Sequence, residues 1–202
     1  MSRTEEISSD VKAVSAAADE ARNRAEEALE YARGEIDLAH EHGWDGVGQS
    51  ISIAGEALEK IVEELAGSGD VFENAARTLD VISERMSHNE VAEQLGLARA
   101  ELDTGRDTFL GTAELINEAL TGAEQAEHQA LGTRLNNLRE EVEKLSEQLQ
   151  QHCAEIDSEQ EQAQKMGQQE GEAESRKRDD NEEKNDTDEP KDDGGGSSGK
   201  PA

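Results

Sequence analysis

Apolar side chains recur along most of the chain in alternating steps of four and three residues, the spacing that lines them up on one stripe of an α-helix. The first run is Ile7, Val11, Val14, Ala18, Ala21, Ala25, Ala28, Ala32 and Ala39, broken only by Glu35. It predicts a helix opening near Thr4 or Ser9 and ending at Gly43. Glu5, Glu6 and Asp10 suit its positive end, and His40 and His42 its last turn. This seam is mostly alanine, which admits a close partner helix but buries little area per residue, so Leu29, Ile36 and Leu38 are expected to add to it. The second run is Val47, Ile51, Ala54, Leu58, Ile61, Leu65, Phe72, Ala75, Leu79, Ile82 and Met86, with Ser68 its one polar member. Its phase survives Gly67-Ser68-Gly69-Asp70, where a loop would reset it. A continuous helix is expected there although two glycines cost about 2 kcal/mol relative to alanine; a break at the same place is the alternative.

Ser87-His88-Asn89-Glu90 reads as the next connection, with Ser87 or Asn89 capping a third helix. Val91, Leu95, Ala98, Leu102, Phe109, Ile116 and Ala119 form its seam, with Gly105 and Thr112 as small or polar gaps. Between Thr121 and Gly132 the register slips, which marks a turn or a coiled-coil stutter. Leu131, Leu135, Leu138, Val142, Leu145, Leu149 and Ile156 then make the most leucine-rich seam of the chain, flanked by Glu140, Glu141, Glu143, Lys144 and Glu147. Past Gly167 the apolar residues vanish, so residues 167–202 are expected to be a disordered acidic tail. The basic island Arg176-Lys177-Arg178 inside it reads as a charge fluctuation. The fold expected is all-α: elongated antiparallel hairpins forming a coiled-coil bundle of about four long helices. Its units are a hairpin over residues 5–87 and a second helical segment over residues 91–165.

Composition narrows this further. Only 33% of the residues are hydrophobic and 2% aromatic. That is too little for the near-continuous apolar strands of an α/β core but enough for seams needing two apolar residues in seven. A net charge of −29, from 49 acids against 20 bases, disfavours nucleic-acid backbones and anionic membranes as partners. It leaves a solvated surface that keeps a long helical protein soluble, or a docking surface for a basic partner. The single cysteine, Cys153, allows no internal disulfide, and no run approaches the ~18 apolar residues of a membrane span. The N-terminus has no secretory signal pattern, so a cytoplasmic address is expected, with export lacking a cleavable signal peptide as the alternative.

The Gly43-Trp44-Asp45-Gly46 turn between two helices of about forty residues resembles the W-x-G helical-hairpin proteins associated with type VII secretion, over residues 5–87. The resemblance implies a small, non-enzymatic protein that dimerises and serves as a secretion substrate or an escort for toxins and effectors. It also implies that Trp44 packs across both helices at the hairpin end, with glycine allowing the reversal, so that Trp44→Ala lowers the melting temperature. The family's Y-x-x-x-D/E export signal follows the second helix, whereas the only tyrosine here, Tyr31, lies four residues before Glu35 on the first. At that spacing the two read as surface neighbours. The wider layout also resembles small helical proteins of actinobacteria.

Candidate chemistry is sparse. His40, Glu41 and His42 are metal-ligand types, but helix positions two apart point in different directions. His152 falls on the fourth seam beside Cys153, and adjacent helix positions diverge by about 100°, so a register-setting polar residue fits better than a nucleophile pair. No histidine follows a glutamate by three residues, as di-iron bundles require. No enzyme, cofactor or metal is expected. The expected role is a binding or adaptor module for a protein partner or for self-association. The alternative is a structural coiled coil that oligomerises through residues 131–156.

Overall fold

The computed structural model describes residues 3–185 and is a bundle of four helices among those residues, with no strand. They are α1 (Arg3–Glu41), α2 (Asp45–Asp80), α3 (His88–Gln125) and α4 (Gln129–Asn185). Each packs against the next, and α4 returns to α1, leaving α1 diagonal to α3 and α2 diagonal to α4. Contacts between distant positions show that all four junctions are antiparallel. Ser8 meets Asp80, the backbone of Ser50 runs beside Gly122, Arg99 meets Asp157, and Arg24 meets Glu141. The buried side chains of all four helices form one hydrophobic cluster, so residues 5–87 and 91–165 share a core.

The four-three periodicity identifies most of the buried apolar positions, missing Ala57, Ala76, Ala92, Leu120, Ala123 and Ala163. From Ile7 to Ala39 the alanine-rich stripe of α1 is buried, and so is the α2 stripe from Ile51 to Leu79. α2 runs unbroken through Gly67 and Gly69, and the buried hydroxyl of Ser68 donates to the carbonyl of Leu65 at 2.8 Å, so the one polar seam residue is satisfied within its own helix. The two phenylalanines, Phe72 and Phe109, meet at 5.5 Å between ring centroids. A Cβ on Gly105 would collide with the Phe72 ring, and one on Gly122 would lie 2.7 Å from the Ser50 carbonyl oxygen. Glycine is required at both places by space, and the result is a close α2–α3 approach.

Helix ends depart from the expected ones where local hydrogen bonding overrides periodicity. α1 is already helical at Arg3, so Ser9 is not its start. α2 stops at Asp80, short of the expected Ile82 and Met86. Ser87 is held extended by a reciprocal cap with Glu90, its backbone N–H donating to Glu90 at 2.8 Å, and the chain must leave the helix before it. Ile82 nevertheless packs against the core from the loop. The register slip is a turn at Ala126–His128, not a stutter. α4 continues past Gly167, the expected start of the tail, to Asn185. Its Gln, Glu, Lys and Arg residues are good helix formers, and no proline occurs before Pro190. The rest of that expected tail, residues 186–202, lies outside the described residues.

The two turns at one end of the bundle share a hydrogen-bond pattern. After α1, Trp44 N–H donates to Ala39 O and Gly43 N–H to His40 O; after α3, His128 N–H donates to Ala123 O and Glu127 N–H to Glu124 O. Both are Schellman closures, which place one residue in the left-handed region. That residue is Gly43 (φ 71°) in the first and Glu127 (φ 52°) in the second.

Candidate functional site

The turn expected to carry the signature does not bury its tryptophan. Trp44 is 58% exposed and stacks on His42 at 4.9 Å between ring centroids. It occupies the N-cap of α2 without a side-chain hydrogen bond to the helix. The expectation that it packs across both helices is therefore corrected: the hairpin end is closed by small buried residues, Ala39 of α1 and Gly48 of α2, and the indole stays outside. Gly46 also has a different place from the one expected. It lies in the first turn of α2 with open space where a Cβ would be, and Gly43 is the residue that permits the reversal. Leu38, six residues before Trp44, and Val47, three after it, are 47% and 36% exposed, so this end of the bundle carries three exposed apolar side chains, with the acids Glu41 and Asp45 close to Trp44 in sequence.

The seam residues Leu131, Leu135, Leu138, Val142, Leu145, Leu149 and Ile156 are all buried within the single chain. They belong to the common core and offer no free surface to a second copy.

Polar bridges cross the seam between α1 and α4. Near the turns, His128 lies 3.1 Å from Glu35 and edge-on to Tyr31, and the Arg134 guanidinium sits 4.6 Å over the Tyr31 ring. Burial and the adjacent Glu35 carboxylate raise the Tyr31 phenol above its ordinary range, with Arg134 opposing. Tyr31 and Glu35 are thus half-buried members of an interhelical cluster, not surface neighbours. Midway, Arg24 bridges to Glu141 at 2.8 Å. At the far end Arg3 reaches Glu155 at 3.0 Å, and Glu155 also lies 3.3 Å from His152. Burial pushes Glu155 up, but hydrogen bonds from His152 and Gln151 and the Arg3 charge outweigh it and hold the carboxyl below its ordinary value. Between the middle and far bridges a groove of about 460 Å³ opens, with Val14, Ala17 and Leu145 among its lining and Asp10, Glu20 and Glu141 among its charges. Burial and the nearby Glu20 raise Glu141 despite Arg24.

A third cluster joins α3 to α4. Arg99 pairs with Asp103 and, at 2.9 Å, with Asp157. Cys153 is buried nearby, and burial raises its thiol above the ordinary value in spite of the Arg99 charge, which keeps it protonated and unreactive. His152 instead turns toward Glu155, so the neighbouring pair does not converge. His40 faces Asp45 at 3.6 Å while His42 bonds its own helix at Leu38 O. Among the described residues no three His, Cys, Asp or Glu side chains gather as a metal set, and no helix is long and apolar enough to cross a membrane. The exposed tip and the α1–α4 groove were invisible to periodicity, which ranks residues by stripe but does not say which stripes meet.

No family model matches the chain, and neither a curated protein nor a solved structure matches it.

Proposed function

We propose that the protein is a non-enzymatic helical adaptor that binds a protein partner through the Trp44 tip, a role of the kind the W-x-G hairpin resemblance implies for secretion and effector escort. The observation that carries this reading is the exposure of the only tryptophan at a bundle end whose core closes without it. Indole is costly to leave in water and is enriched among residues that dominate binding energy. Leu38 and Val47 add exposed apolar surface at the same end of the bundle, and the nearby acids favour a basic partner surface. Because the leucine seam of α4 lies inside the bundle, self-association through residues 131–156 requires a neighbouring helix to leave. A cytoplasmic address is part of this proposal, and finding the chain in the medium of intact producing cells replaces it with export.

The test compares wild-type protein with Trp44→Ala and Leu38→Ser as baits in extracts of the producing organism. The expected result is a defined partner retained by wild type and lost by both variants, with unfolding midpoints unchanged. A partner set indifferent to both substitutions overturns the proposal.

A further inference from the structure

We propose that the groove between α1 and α4 is a second docking surface, one that takes a basic amphipathic helix of a partner protein. Two antiparallel helices frame the groove, which is open between the Arg24–Glu141 bridge and the Arg3–Glu155 bridge. A trough of that form accepts the ridge of a third helix. Its lining supplies what Lys and Arg side chains need. Ala13 and Ala17 give the aliphatic stems a shallow apolar floor above the buried Val14 and Leu145, and Asp10, Glu20 and Glu141 receive the charged heads. Lys144 is the one lysine or arginine of the lining, so three carboxylates face one ammonium and the rim is net acidic. Asp10 and Glu20 are exposed, and neither is held by an ion pair among the described residues. Burial already raises Glu141, and an incoming cation relieves that charge more fully than Arg24 does alone. A second copy of this chain is the wrong occupant, because two chains of net charge −29 repel as they approach. The groove is independent of the Trp44 tip, so the two proposals fail separately.

The test uses the full chain and a synthetic amphipathic helix built of Leu, Ala and Lys, with a Glu-for-Lys version as control. Titration is followed by calorimetry and by amide shifts of Val14, Ala17 and Leu145. The Lys peptide is expected to bind and shift those amides, and the Glu peptide to do neither. The double variant Asp10→Lys with Glu20→Lys is expected to weaken binding about tenfold or more, as lost charge complementarity does. The double variant Glu56→Lys with Glu63→Lys makes the same change of net charge on exposed positions of α2, diagonal to α4, and is expected to weaken binding less than about twofold. Circular dichroism confirms that both variants fold, and Trp44→Ala is expected to bind the peptide like wild type. Equal weakening by both double variants shows only the general field of an acidic protein and overturns the docking site. So does absence of binding, or movement of the groove amides on self-association alone.

Discussion

The α2–α3 and α1–α4 junctions of this bundle solve one packing problem in opposite ways. Between α2 and α3 the two phenylalanine rings interlock, and Gly105 and Gly122 clear space for a ring and for a backbone. Between α1 and α4 the small alanine side chains of α1 leave a groove, and ion pairs at its ends span the distance. The tight pair is continuous in sequence order, whereas the loose pair is the first and last helix, joined only through the others. Apolar interdigitation gains stability from every buried methylene, while partly exposed ion pairs contribute little beyond orientation. The lesson is that stability and accessible chemistry sit on opposite sides of one core.

The largest effect should come from emptying the tight side. Phe72→Ala removes the ring that covers Gly105, and chemical denaturation should show a loss of about 3–5 kcal/mol. Val14→Ala on the α1–α4 side should cost clearly less, because it deletes two methyl groups and not an aromatic ring. Equal losses would erase the contrast between the two sides.

The turns that join each tight helix to a loose one offer a finer test. Gly43→Ala forces a β-carbon into the left-handed region and should cost about 1 kcal/mol, and Glu127→Gly should recover a similar amount, since that conformation penalises any L side chain by ~1–2 kcal/mol. Thermal unfolding of both variants checks the opposite signs.

The smallest effects distinguish the two sides by pH. Asp80, which accepts from Lys12 at 2.7 Å and from Ser8, is held below the ordinary carboxylate value, chiefly by the Lys12 hydrogen bond. Its stabilisation of the α1–α2 junction is therefore full above the ordinary, unfolded-state value and is lost as pH falls through the lowered one. Glu141 at the groove is raised by burial, so the folded chain binds its proton more tightly than the unfolded chain, and its contribution to stability rises as pH falls through that raised value. Asp80→Asn should be less stable than wild type at neutral pH, and Glu141→Gln equally or more stable. Urea titrations at falling pH should show both differences shrinking.

Much of this was legible in the sequence. The four-three stripes name most of the buried residues of all four helices, Ser87 with Glu90 announces its cap, and Gly43 its reversal. Ser8 was missed because a hydroxyl gives no sign that an aspartate at the end of another helix will meet it at the core's edge. Glu127 was missed because nothing local marks a glutamate for a conformation that suits glycine. Trp44 was misplaced because its apolar surface argued for burial, and only the structure shows the hairpin end closed by Ala39 and Gly48 with the indole outside.

The sequence by itself determined the helices and the face each one buries, because a 3.6-residue period ties side-chain direction to position along the chain. Only the tertiary structure decided that α4 closes on α1, that the leucine seam lies inside the chain, and that a tryptophan and an acidic groove are left facing water. Those outcomes depend on distances between residues far apart in the chain, and a periodicity within one helix carries no information about the helix across from it.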